Sequence, residues 1–317
     1  MPTPSVVSIT RLVSELPRDM SGAAVVPGDT PDTHYLVGPG ILEVKAAPDG
    51  SFTTRDIVTA DQLPVRLPAA RRKGRTITVY SGHHVSDQTL CLPNAATFSL
   101  DETNRLIASD VAYLPEGRKG MACAAAGIEA LLISGQDSSG KQDSIGFDCF
   151  DQGTQELVDD AVIEIPLTEG MPVGAPLSPG CRIVVIKPEG EKRRVLVLGT
   201  GYPEITEIVR VKKAPRIKLS GIHMPYATRD GGACSLFGGL GFAYVGGTNA
   251  NNDPIGRIVL GHGTGSPSVS AQELPTAILK PCVFPVSDTS FIVASGQTGW
   301  GGVGGWTTVC YLVSCAV

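Results

Sequence analysis

Short apolar runs that end in glycine recur along the chain. They are Tyr35-Leu36-Val37-Gly38, Val79-Tyr80-Ser81-Gly82, Leu132-Ile133-Ser134-Gly135, Leu196-Val197-Leu198-Gly199, Ala243-Tyr244-Val245-Gly246 and Ile292-Val293-Ala294-Ser295-Gly296. Their closing glycines are separated by 44, 53, 64, 47 and 50 residues. Such runs, rich in β-branched residues and bounded by turn formers, predict strands rather than helices. Each is preceded by a turn cluster such as Gly28-Asp29-Thr30-Pro31-Asp32 or Arg72-Lys73-Gly74-Arg75. Before that turn lies a run of small residues, as in Ala23-Ala24-Val25-Val26, Met121 to Ala126, Gly231 to Cys234 and Pro281-Cys282-Val283. Small side chains are what first strands need when several of them crowd around one axis.

Third strands are predicted at 41–46, 95–100, 144–150, 205–211, 257–261 and 306–313. Five of these are followed by a turn and a fourth strand. The sixth unit lacks a fourth strand before Val317, while residues 5–13 form an unassigned β-like segment. The expected fold is therefore all-β: a six-bladed β-propeller closed by an N-terminal strand that completes the last blade. Its approximate blades are 14–58, 59–114, 115–168, 169–222, 223–274 and 275–317 plus 5–13, forming one domain over 1–317.

The stretch Phe98-Ser99-Leu100-Asp101-Glu102-Thr103-Asn104-Arg105-Leu106 is similar to the kelch family's third-strand ending and its Asp-x-x-Thr-Asn turn. Phe147 to Thr154 resembles it as well. The repeat length is close to the kelch period of about 50 residues. The resemblance spans nearly the whole chain and implies a kelch-like propeller. The family's double glycine stands in its expected place only at Gly246-Gly247, and aromatic residues are 5% of the chain.

Composition narrows the function. The chain has 317 residues, 42% of them hydrophobic, and a net charge of −5. An acidic chain lacks the positive field that nucleic acid requires. No apolar run is long enough to span a bilayer as a helix, and the first ten residues lack a secretory pattern. Eight cysteines without a CxxC pair predict neither zinc nor a disulfide framework; the expected setting is intracellular, reducing and cytoplasmic. No cofactor and no metal are expected. The five His residues form no HxH or HExxH pattern, and no GxSxG elbow is present. Asp137, Glu204 and Asp253 could in principle face a sugar as paired carboxylates, but spacing does not fix their separation.

The leading expectation is a non-catalytic protein-binding scaffold or assembly subunit, monomeric on its own. Carbohydrate binding or hydrolysis is one alternative, and a structural part of a large cytoskeletal or viral assembly is another. Loops after the second strands share one face with the links between blades. Its candidate contact residues are His83, His84, Asp137, Lys141, Tyr202, Glu204, Asn249, Asn251, Asp253 and Trp300. The opposite face carries a candidate basic patch: Arg71, Arg72, Lys73, Arg75, Lys192, Arg193, Arg194, Lys212 and Lys213.

Overall fold

A computed structural model describes residues 3–114, 117–126, 129–140, 146–151, 156–157, 163–164, 179–187, 193–211, 214–263, 265–299 and 305–317. Among them there are only β-strands and one 3-10 turn, Phe237–Gly239. No helix among the described residues is long and apolar enough to cross a membrane.

Strand β1 (Ser5–Arg11) leads the chain. The first sheet follows as β2 (Ala24–Pro27), β3 (Thr33–Gly38), β4 (Gly40–Ala46) and β5 (Phe52–Val58), hydrogen-bonded in that order. Next come β6 (Val65–Arg66), β7 (Ala69–Lys73), β8 (Thr76–Tyr80), β9 (His83–His84), β10 (Asp87–Cys91), β11 (Asn94–Leu100) and β12 (Leu106–Tyr113). Of these, β7, β8, β11 and β12 form the second sheet, while β6, β9 and β10 form a small separate one. The third sheet contains β13 (Ala122–Ala126), β14 (Glu129–Ile133), β15 (Gly146–Asp151), β16 (Glu156–Leu157) and β17 (Ile163–Glu164). The fourth is β18 (Arg182–Ile186), β19 (Arg194–Leu198), β20 (Glu204–Val211) and β21 (Ala214–His223). The fifth is β22 (Gly232–Leu236), β23 (Gly241–Val245), β24 (Ile258–His262) and β25 (Ser268–Val269). The sixth is β26 (Cys282–Ser287), β27 (Ser290–Gln297) and β28 (Trp306–Ala316), with β1 as its fourth strand. The β1–β28 register runs from Ser5↔Ala316 to Arg11↔Tyr311, so the two ends of the chain share one sheet. The pairings among the described strands are antiparallel.

Strand periodicity explains the core. Successive side chains of a strand point to opposite faces. Phe291 and Val293 therefore enter one apolar layer with Ala243, Val245 and Leu260 of the fifth sheet. Ile292 and Ala294 enter another with Leu36, Leu42 and Val44 of the first. Cys315 and Cys310, five apart on β28, fall in these two different layers. The seven described cysteines are free thiols. Second strands are covered on both faces, which is why β3 and β23 are buried along their whole lengths.

First strands touch one another: β2 meets β7, β7 meets β13, β13 meets β18, β18 meets β22, β22 meets β26, and β26 meets β2. The approach is close enough to require small residues. A Cβ on Gly232 of β22 would lie 2.5 Å from the Pro281 carbonyl oxygen.

Just ahead of each first strand stands a residue with positive φ: Gly22, Leu67, Gly120, Gly180, Asp230 and Lys280. Their backbones link together. Gly22 N–H donates to Lys280 O (2.7 Å), and Lys280 N–H to Asp230 O (2.6 Å). Gly180 N–H donates to Gly120 O (2.7 Å), and Gly120 N–H to Leu67 O (2.9 Å). The two remaining gaps are van der Waals contacts. A Cβ on Gly22 would sit 2.1 Å from Leu67 Cδ2, and one on Gly180 2.5 Å from Asp230 Oδ1.

One segment departs from the sequence reading. Residues 83–88, expected as a loop, begin a hairpin of β9 and β10 that pairs with β6.

Candidate functional site

Five of the six left-handed residues, Leu67, Gly120, Gly180, Asp230 and Lys280, form the floor of a cavity of about 280 Å³. The sequence places it there because the links between sheets and the loops after second strands end on the same side. Isolated bridges tie these segments together, Lys119 with Gln136, Arg229 with Thr248, and Leu279 with Gln297. Tight Ser-Gly or Gly-Gly turns permit the approach: Ser81-Gly82, Ser134-Gly135, Gly246-Gly247 and Ser295-Gly296 all have positive φ at both positions. At Gly247 a Cβ would meet the Arg229 carbonyl oxygen at 2.3 Å.

Four cations reach this cavity from four different links: Arg66, Lys119, Arg229 and Lys280. Asp230 is the single carboxylate among its described lining residues. Arg66 is the most rigidly held. Its Nη1 donates to Asp19 Oδ2 at 2.6 Å, and its guanidinium lies 4.5 Å from the centre of the Trp306 ring. Asp19 is itself fixed by Ser21 N–H (2.9 Å), Ser21 Oγ (2.6 Å) and Ser295 Oγ (3.1 Å). Lys119 Nζ donates to the Gln88 carbonyl at 2.7 Å, joining the β9–β10 hairpin to the cavity wall. Arg229 donates to the Asn252 side chain. Lys280 Nζ lies 3.9 Å from Asp230 Oδ1. The amides of Gln88, Gln136 and Gln297 complete the polar lining.

His83 is buried in the cavity wall at 4% exposure. Its Nδ1 has no hydrogen-bond partner among the described residues. Burial pushes its imidazole down to about 4, with the charges of Lys119, Arg66 and Lys280 adding to the effect. At neutral pH the ring is an uncharged donor and acceptor inside a cationic pocket. With one carboxylate among four cations, the arrangement suits capture of an anion by charge and hydrogen bonding. Among the described residues no group of three or more His, Cys, Asp or Glu is placed to hold a metal ion.

Of the loop residues expected to make contact, the structure brings His83 into the cavity. His84, its neighbour on β9, bonds Ser86 Oγ through Nδ1 at 2.7 Å and is not part of the lining. Asp137 fixes its own turn through Ser139 N–H (2.9 Å) and Oγ (2.7 Å). Asn249 does the same: Oδ1 accepts from Asn251 and Asp253 N–H at 2.9 Å, and Nδ2 donates to Asp253 Oδ2 at 3.1 Å. Tyr202 and Glu204 are half-buried and stand outside the lining. Lys141 and Trp300 lie outside the described residues.

At the opposite ends of the sheets the expected basic patch is divided. Arg71 is buried at 4% exposure. Arg72 pairs with Asp29, and its guanidinium lies 5.4 Å from the Tyr35 ring centre. Arg194 holds Glu207 through two bonds of 3.2 and 3.0 Å and also donates to Ser220 O. Lys73, Arg75 and Arg193 are exposed. Lys192, Lys212 and Lys213 lie outside the described residues.

The sequence reading missed Arg66, Lys119, Arg229 and Lys280. For three of them a signal was present: Lys119, Arg229 and Lys280 each stand within two residues before a small-residue run that predicts a first strand.

No family model matches the chain, and no curated protein matches it in sequence. Among solved structures, the chain is similar to that of YjhT, with a TM-score of 0.68 and 12% identity, covering 96% of this chain and 99% of that one. At that identity the likeness concerns the fold, an all-β assembly of antiparallel sheets.

Proposed function

We propose that the chain is a six-bladed, kelch-like β-propeller that binds an acidic segment of a protein partner in its axial mouth. The observation that carries this reading is the convergence of Arg66, Lys119, Arg229 and Lys280 on one cavity in a chain of net charge −5. Supporting the fold are the cyclic contacts of the first strands and the β1–β28 pairing. Supporting the kelch resemblance are the Ser-Gly turns, which reproduce the double-glycine backbone with serine in the first position. Leu67 and Lys280 hold left-handed backbone conformations at the cavity floor. That conformation costs a non-glycine residue roughly 1–2 kcal/mol, and strain of this kind clusters at binding sites.

A second reading is favoured by the Trp306 ring and the three glutamine amides, which suit an acidic sugar. One experiment separates the two. The full chain and a Lys119→Glu/Arg229→Glu variant are probed on arrays of acidic, neutral and basic peptides and of acidic and neutral glycans. Salt-sensitive binding to acidic peptides, lost in the variant, is the expected result. Binding confined to acidic glycans would establish the second reading, and equal binding by both proteins would remove the axial mouth from either.

A further inference from the structure

Beneath the floor of the mouth lies a second, smaller cavity of about 90 Å³ on the same axis. First strands of all six sheets line it with small or apolar residues, among them Ala24, Ala69, Cys123, Ala233 and Val283. Arg182, the first residue of β18, is the single charged residue among those described there. Its Nη2 is buried and has no hydrogen-bond partner among the described residues. The nearby carboxylate, Asp230, is paired with Lys280 on the upper side of the floor.

The guanidinium acts across the axis. Burial raises Cys181 to about 11 and both Tyr244 and Cys282 to about 12; in each case the Arg182 charge opposes that rise. These three residues belong to the fourth, fifth and sixth sheets or the links into them. Arg182 as a whole is half-buried, but its Nη2 has been taken out of water without gaining an acceptor, and a buried donor of that kind is destabilising until something accepts from it. Here the walls are alanine, cysteine, valine and proline, and they supply no counter-charge.

We propose that this axial chamber binds one small monovalent anion, of halide or nitrate size, against Arg182. The volume admits such an ion with a little water. The ion would neutralise the guanidinium and add a non-covalent pin at the point where the six first strands meet. This site is separate from the mouth above it, whose cations are Arg66, Lys119, Arg229 and Lys280.

The test is thermal unfolding of the full chain at constant ionic strength, with gluconate replaced stepwise by bromide. Bromide should raise Tm along a saturating curve, by about 5 °C once it is well above its dissociation constant. Arg182→Met should show a flat response and, in gluconate alone, a Tm no lower than that of the parent. The Lys119→Glu/Arg229→Glu variant should keep the full response, since its mouth is altered and its chamber is not. A parent protein indifferent to bromide, or an Arg182→Met variant that responds as the parent does, would overturn the proposal. Should Arg182→Met fail to fold, crystals of the parent in bromide decide the matter by anomalous scattering. A peak in contact with the guanidinium supports the site; its absence at saturating bromide rejects it, leaving Arg182 solvated by water alone.

Discussion

Arginine and lysine gather at both ends of the sheets, and the two groups meet different surroundings. At the hairpin end, Arg72 reaches Asp29 and lies against Tyr35, while Arg194 grips the buried Glu207. Those cations are parts of the framework. At the mouth, four cations share Asp230 and, through Arg66, Asp19. Positive charge there exceeds the carboxylates available to it. The difference teaches that a basic cluster in the sequence says little about binding until its counter-charges are counted. Strand pairing supplies partners to a cation on a sheet, whereas the segments that lead into the first strands project their cations into the cavity.

Backbone strain offers the sharpest test of this contrast. Gly247→Ala should cost about 4 kcal/mol in denaturant unfolding, because its Cβ would meet the Arg229 carbonyl oxygen at 2.3 Å and its φ is +89°. Gly74→Ala, at the hairpin end, has nothing within 4 Å of its Cβ and should cost about 1 kcal/mol. Equal costs would mean that the mouth is not tightly assembled.

Next in size is the framework role of Arg194. Glu207→Gln leaves a guanidinium that is only 14% exposed without its carboxylate. It should lower stability by about 3 kcal/mol while leaving the affinity for acidic peptides unchanged. A binding defect without a stability defect would reverse the assignment of the two ends.

Charge reversal follows. Lys119→Glu/Arg229→Glu should weaken acidic-peptide binding by about 100-fold, which is about 2.7 kcal/mol. Lys73→Glu/Arg75→Glu should change it less than about twofold, given a separation well beyond the screening length of about 8 Å at physiological salt. Fluorescence anisotropy at two salt concentrations measures both.

The smallest effect at any one step is with pH. Folding lowers His83 from the ordinary histidine value to about 4, chiefly through burial. Between about pH 6.5 and pH 4 the unfolded chain therefore binds a proton that the folded chain does not. Stability should fall as pH drops through that window, with a slope of at most about 1.4 kcal/mol per unit, and level off below it. His34 is also lowered by burial, so the quantity to measure is the difference between the parent and His83→Gln. Identical pH profiles would mean that His83 is not buried in the cavity wall.

Much of the architecture could be read in advance. The third strands expected at 41–46, 205–211 and 306–313 correspond to Gly40–Ala46, Glu204–Val211 and Trp306–Ala316. The orphan segment 5–13 is the edge partner of the last strand. These features are local: alternation, turn chemistry and small-residue runs are written within a dozen residues. The β9–β10 hairpin was not legible, because His83 to Cys91 is short, polar and paired to a two-residue strand. The loop residues Asp137 and Asn249 are expected as contact residues on their polarity; what the sequence did not show is that their oxygens also fix their own turns.

The order and spacing of strands, and the pairing of one terminus with the other, follow from periodicity and from the need to leave no edge without a partner. The mouth belongs to the tertiary structure. Arg66, Lys119, Arg229 and Lys280 are dozens of residues apart, and their places ahead of small-residue runs do not by themselves say that their charges meet. Only when the segments ahead of the first strands converge on one cavity do their charges add there, since Coulomb energy depends on separation in space and not on separation in sequence.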